Sequence, residues 1–222
     1  MSKQFWGILI AIALIFVGVL AFGGDKKSGN DFGKPTSHIE GKSPKGVTLV
    51  EYGDFQCPVC GAYYLPVKNV VEKYKDKVQF QFRNFPIQSA HPNAFAASRA
   101  AEAAALQDKY WEMHDKLYET QDQNGQAGWV GSQNPLDEYF TGFAKELGLN
   151  VTKFKKDYAS TKVNNLINAD MAKAKALDVT GTPTFFLNGK DLIKNSDLTD
   201  ANGAPSEEKF AEVLDAALKA AK

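Results

Sequence analysis

Apolar positions along this chain fall into three kinds of pattern. Phe5 to Phe22 (FWGILIAIALIFVGVLAF) is 18 residues without a charge, about 27 Å of helix at ~1.5 Å per residue, and so just long enough to span a bilayer. Val47 to Tyr52 (VTLVEY) is a short, nearly continuous run that reads as a buried strand, and Val78 to Phe82 (VQFQF) alternates as a strand with one covered face. Between them Tyr63, Tyr64, Val67, Val70, Val71 and Tyr74 recur at helical spacing, which predicts a core-facing stripe. Pro66 lies inside that helix, cannot donate to the Ala62 carbonyl, and predicts a kink.

After Phe85-Pro86 the strand signals stop. Helical patterns follow over Ala94 to Leu106, Tyr110 to Tyr118, Leu136 to Leu147, Val151 to Tyr158 and Val163 to Leu177, separated by Gly125, Gly128, Gly131 and Pro135. Thr184 to Leu187 (TFFL) then reads as a strand, Asn188-Gly189 as a type I′ turn and Lys190 to Ile193 as the partner strand. Ser206 is placed to cap a last helix, with Glu207 and Glu208 early and Lys219 late as the helix dipole prefers. The order predicts an α/β domain with an all-helical insertion over about residues 91–177.

Composition adds boundaries. Residues 1–22 read as a signal-anchor helix and Gly23 to Ser43, rich in Gly, Ser, Lys and Asp, as a flexible tether. The domain proper is then expected over 44–222, one ordinary domain with enough chain for a sizeable core. Lys3 precedes the apolar run, and Asp25, Lys26 and Lys27 follow it, so the positive-inside argument weakly favours a cytoplasmic amino terminus. The expected location is the cell membrane, single-pass, with the domain on the extracytoplasmic side. Ala21-Phe22-Gly23 has small-x-small character, so cleavage after Gly23 and a secreted form is the competing outcome. With 26 basic and 26 acidic residues the net charge is zero, and nothing points to nucleic acid or an acidic substrate.

All the sulfur chemistry sits in one place. Cys57-Pro58-Val59-Cys60 holds the only two cysteines, where a strand turns into a helix. The helix start offers unpaired N–H groups to the first sulfur, so Cys57 is expected to be the exposed, ionisable nucleophile. Pro58 suits the first helical turn, and Cys60 is placed to resolve a mixed disulfide. A zinc site would need two more ligands, and His38, His91 and His114 stand singly. A structural disulfide closing so short a loop would restrain the unfolded chain little. A Cys–His hydrolase using His91 would leave the second cysteine unexplained. His114 is expected to pack or cap locally.

With Glu51-Tyr52-Gly53-Asp54-Phe55-Gln56 leading into the cysteines, Phe85-Pro86 to His91-Pro92-Asn93 leading into the helices, and Gly181-Thr182-Pro183-Thr184-Phe185 before the hairpin, the chain from about Val47 to Lys222 resembles the DsbA-like family of exported thiol:disulfide oxidoreductases. That family has a thioredoxin-like fold with an inserted helical subdomain. The resemblance implies that Pro183 is cis and faces the cysteines, with the Thr182 backbone free to pair with extended substrate. It implies too that Glu51, a carboxylate in an apolar strand, is a buried acid that shuttles the proton of Cys60. The alternative for Glu51 is an edge-strand residue facing water; Asp54 is expected in the turn with a minor electrostatic role.

The redox-active pair would need no separate cofactor. Implied partners are reduced or unfolded exported proteins as substrates and a quinone-linked membrane oxidase of the DsbB or vitamin K epoxide reductase type. Pro58-Val59 departs from the Pro-His of the best-known oxidases, and valine can neither charge nor hydrogen-bond the thiolate. A milder oxidant is therefore expected, and a reductase or isomerase, or a redox-inactive peptide-binding module, remain alternative readings.

Overall fold

Strand β2 (Thr48–Gly53) is buried at every position after Thr48 because both of its faces are covered. Leu49 joins the main core with Val67, Val70, Phe80 and Phe210, whereas Val50 and Tyr52 join a smaller cluster with Ala174, Val179 and Phe186. Glu51, by the period of two, shares the face of Leu49. The computed structural model describes residues 32–121 and 128–221. Its five-stranded sheet runs in the order β1 (His38–Glu40), β3 (Gln79–Asn84), β2, β4 (Thr184–Leu187) and β5 (Asp191–Ile193). β2 and β3 are parallel, joined by α1 (Pro58–Tyr74), and every other pair is antiparallel.

The helical stripe of α1 behaves as expected: Tyr63, Val67, Val70 and Tyr74 are buried, and the helix continues through Pro66. The insertion comprises α2 (Ala94–Ala105), α3 (Tyr110–Glu119), a short turn at Gly128–Gly131, and a wide π-type turn, Leu136–Phe140, running into α4 (Thr141–Glu146). α5 (Val151–Tyr158) and α6 (Thr161–Lys175) complete it. The hairpin turn has both central residues at positive φ, 55° at Asn188 and 69° at Gly189, the conformation a type I′ turn requires. Ser206 caps α7 (Glu207–Ala220) by accepting from the Lys209 N–H, and α7 packs on α1.

One boundary needs correction. The stretch assigned to a tether contains β1, and the folded unit begins at Phe32 rather than near residue 44. Polar chemistry holds the segment in place. The fully buried Asp170 of α6 accepts from the Thr36 N–H at 2.8 Å, the Thr36 hydroxyl at 2.6 Å, the Asn84 N–H at 3.0 Å and Arg83 at 3.2 Å. Beside it His38 Nε2 lies 2.9 Å from the fully buried Glu102 of α2. Buried carboxylates persist when each lone pair is matched, as here. Thr36→Ala is expected to cost roughly 1 to 3 kcal/mol, the value of a buried hydrogen bond to a charged acceptor, read as a lower urea midpoint at unchanged slope. The expected membrane anchor and residues 23–31 lie outside the described residues. Among the described residues no helix is long and apolar enough to cross a membrane.

Candidate active site

β2 ends at Gly53, and the chain turns through Asp54 before α1 begins. Cys57 is the N-cap of α1 (φ −68°, ψ 121°), and Pro58 occupies the first helical turn where its missing N–H costs nothing. The Asp54 carbonyl accepts from the Cys57 N–H at 3.0 Å. The Asp54 carboxylate is fully buried and accepts from the Gln56 N–H at 2.8 Å and the Ile87 N–H at 2.8 Å, with His91 Nδ1 at 2.7 Å. Asp54 therefore ties the redox turn to the segment after β3, and His91 serves that tie.

The two thiols, both free, are driven apart in acidity. The Cys60 S–H hydrogen bond to the Cys57 sulfur brings the Cys57 pKa down to about 5 against the opposing effect of burial, helped by the backbone N–H groups of Cys60 and Val59 and by the Thr182 side chain. Cys60 moves the other way, well above the ordinary thiol range, because it is buried, donates to Cys57 and faces the charge of Glu51. An acidic nucleophile beside a buried partner is the arrangement that exchange chemistry requires.

The expectation that Cys57 is exposed is not met: the residue is 5% exposed and Cys60 1%, while Val59 is 49% exposed. The cover comes from across the sheet. The Thr182–Pro183 peptide is cis, Pro183 is buried, and the Cys57 thiol points at the Thr182 carbonyl from 3.5 Å. Thr182, Pro183, Cys57 and Cys60 thus meet at one place, reached past Pro58 and Val59.

Glu51 is not an edge residue. It lies on the central strand between Phe82 of β3 and Phe185 of β4, both fully buried. Burial first, and repulsion from the Cys57 thiolate second, push its pKa up to about 8. Among the described residues nothing hydrogen-bonds its carboxyl, which faces a cavity of about 290 Å³ lined also by Tyr64, Lys68, Phe80, Trp111 and Asp115. Lys68 is held there by Asp115 at 2.9 Å and Glu119 at 3.2 Å.

His114 is buried among Phe55, Phe82 and Tyr118, with Asp115 3.0 Å from its Nδ1; burial lowers its pKa. It packs, as expected. Three polar residues also brace the site, of which Gln121 alone lies outside every motif of the sequence. Gln56 accepts from the Asn93 N–H at 2.6 Å, Asn93 donates to three carbonyls between Trp129 and Ser132, and Gln121 donates to the carbonyls of Phe55 and Cys57.

Comparison with known proteins agrees with this geometry. The family model described as Thioredoxin matches residues 33–216. Over 212 residues the chain is 32% identical to "Probable disulfide bond formation protein D" of Bacillus anthracis, covering 91% of this chain and 94% of that protein. It is 38% identical over 155 residues to "Na(+)/H(+) antiporter NhaA 1" of Mycolicibacterium gilvum, 69% of this chain but 23% of that protein, so it spans less than a quarter of this relative's length. Among solved structures, a thioredoxin-like oxidoreductase from Silicibacter pomeroyi superposes with a TM-score of 0.63 at 28% identity, over 86% of this chain and 99% of that one.

Proposed function

The chain belongs to the thioredoxin family, and from that premise we propose that it is a thiol:disulfide oxidoreductase of the DsbA type that introduces disulfides into exported proteins. The split in acidity between Cys57 and Cys60 carries the reading. A substrate thiolate attacks Cys57 of the oxidised pair; the Cys57–Cys60 bond breaks, and Cys60 leaves with the electron pair. Glu51, whose carboxyl burial holds above the usual carboxylate range, supplies the proton that Cys60 needs. A second substrate thiolate then attacks the substrate sulfur of the mixed disulfide, forming the substrate disulfide and releasing Cys57 as a thiolate. Two electrons have passed to the pair, and the substrate has lost them.

No separate cofactor takes part in these steps. Reoxidation falls to a quinone-linked membrane oxidase of the DsbB or vitamin K epoxide reductase type, with Glu51 taking the Cys60 proton back. The apolar run at residues 5–22 supports export and anchoring in the same membrane as that oxidase.

The direction of exchange follows from which form the helix mouth favours. Holding Cys57 as a thiolate stabilises the reduced enzyme and makes its disulfide oxidising. A pKa of about 5 lies between about 3.5 for DsbA and about 7 for thioredoxin. The Cys57/Cys60 reduction potential is accordingly expected between about −120 mV for DsbA and about −270 mV for thioredoxin. Equilibration with glutathione buffers measures it, and a potential at or below that of thioredoxin would make the enzyme a reductase.

A further inference from the structure

The redox turn is also gripped from outside by a single amide. Two residues beyond α3, Gln121 spends both side-chain N–H bonds on the turn, one to the Phe55 carbonyl at 2.8 Å and one to the Cys57 carbonyl at 2.9 Å. Two acceptors on one side settle which end of the amide is nitrogen. Its oxygen then lies against Gly61, so close that a β-carbon there would stand 2.1 Å away. The Cys57 carbonyl meanwhile accepts the first helical bond from the Gly61 N–H at 3.1 Å.

These contacts have a geometric meaning. The carbonyls of Phe55 and Cys57 belong to the peptide planes on either side of Gln56 and Cys57, so fixing both fixes the torsions that aim the Cys57 sulfur. That sulfur must face the Val59 and Cys60 N–H groups to be held as a thiolate. We propose that Gln121 is a positioning residue for the Cys57 thiolate, and that Gly61 lacks a side chain so that the Gln121 amide can reach the turn. Gln121 acts through backbone carbonyls alone. The inference rests on Cys57 as the exchanging nucleophile and adds a residue, from the helical insertion, that holds it in place.

The test titrates the reduced full-length protein by thiolate absorbance and by alkylation rate, in the parent, in Gln121→Met and in Gly61→Ala. Methionine keeps the length and loses both donors. In each variant the Cys57 pKa is expected to rise by about half a unit to one unit, a neutral hydrogen bond's worth of free energy. Alkylation near pH 5, where about half of the parent is thiolate, should slow about two- to fivefold accordingly. Combining the two substitutions should add little, because each removes the same contact. An unchanged Cys57 pKa in Gln121→Met, with only a lower melting temperature, would reduce Gln121 to a structural brace and overturn the inference. Should Gly61→Ala fail to fold, Gln121→Met decides alone. A parent pKa near the ordinary 9.0 would instead remove the exchange reading and this inference with it.

Discussion

Cys57→Ser should abolish catalysed oxidation of reduced ribonuclease, a loss of at least about a thousandfold, because a hydroxyl at the helix mouth is neither a thiolate nor a disulfide partner. Cys60→Ser should behave differently. It keeps the Cys57 thiolate but lacks the neighbouring thiol that would close the internal disulfide and expel a bound client, so mixed disulfides formed by attack of Cys57 on oxidised clients should accumulate and survive on a non-reducing gel. Residual oxidation in Cys57→Ser comparable to the parent would exclude Cys57 chemistry and leave a peptide-binding module. In the reduced parent, alkylation should be half-maximal near pH 5, the pKa that the Cys60 thiol and the helix N–H groups impose. A midpoint several units higher would mean that burial wins over those donors.

Glu51→Gln should have the second large effect, and it has two readouts. Attack on the oxidised pair, in which Cys60 leaves and takes the Glu51 proton, should slow on the order of a hundredfold, the usual worth of a positioned general acid or base. Stability should change with pH as well. The folded protein keeps the Glu51 proton to about pH 8, while the unfolded chain loses it near 4.5. Between those values the folded state holds more protons, so the Glu51 contribution falls as pH rises and is fully present only below about 4.5. The ceiling of that loss is on the order of 5 kcal/mol. Glu51→Gln should therefore match the parent near pH 4.5 and exceed it at pH 8, as measured by urea unfolding of the reduced proteins. A difference between the two proteins that does not vary with pH would show that Glu51 is ionised through hydrated contact with its cavity. Oxidation removes the Cys57 charge that helps raise the Glu51 pKa, so the same experiment on the oxidised pair should move the transition to lower pH.

Much of this site was legible in the sequence because local rules and the fold agree there. A strand buried on both faces, a proline in the first turn of α1 and a helical stripe from Tyr63 to Tyr74 each leave a pattern that tertiary structure then uses unchanged. Glu51 stood out for the opposite reason, as a charge where the pattern calls for an apolar residue. What stayed hidden depends on contacts across long separations. β1 is three residues, His-Ile-Glu, at a sheet edge, and it is fixed by acids 64 and 134 positions away. The grip of Gln121 on Cys57 spans 64 positions and follows no periodicity. The resemblance implied a cis Pro183 facing the cysteines, but how far Thr182–Pro183 covers Cys57 depends on packing between residues 125 positions apart, which leaves no local pattern.

The sheet's two outer strands, β1 and β5, are each only three residues long. An open strand edge is a template on which any extended polypeptide can dock and begin to aggregate. A protein whose proposed clients are unfolded chains meets that hazard at every encounter. With so little free backbone at either border, a client finds no long ladder to join there.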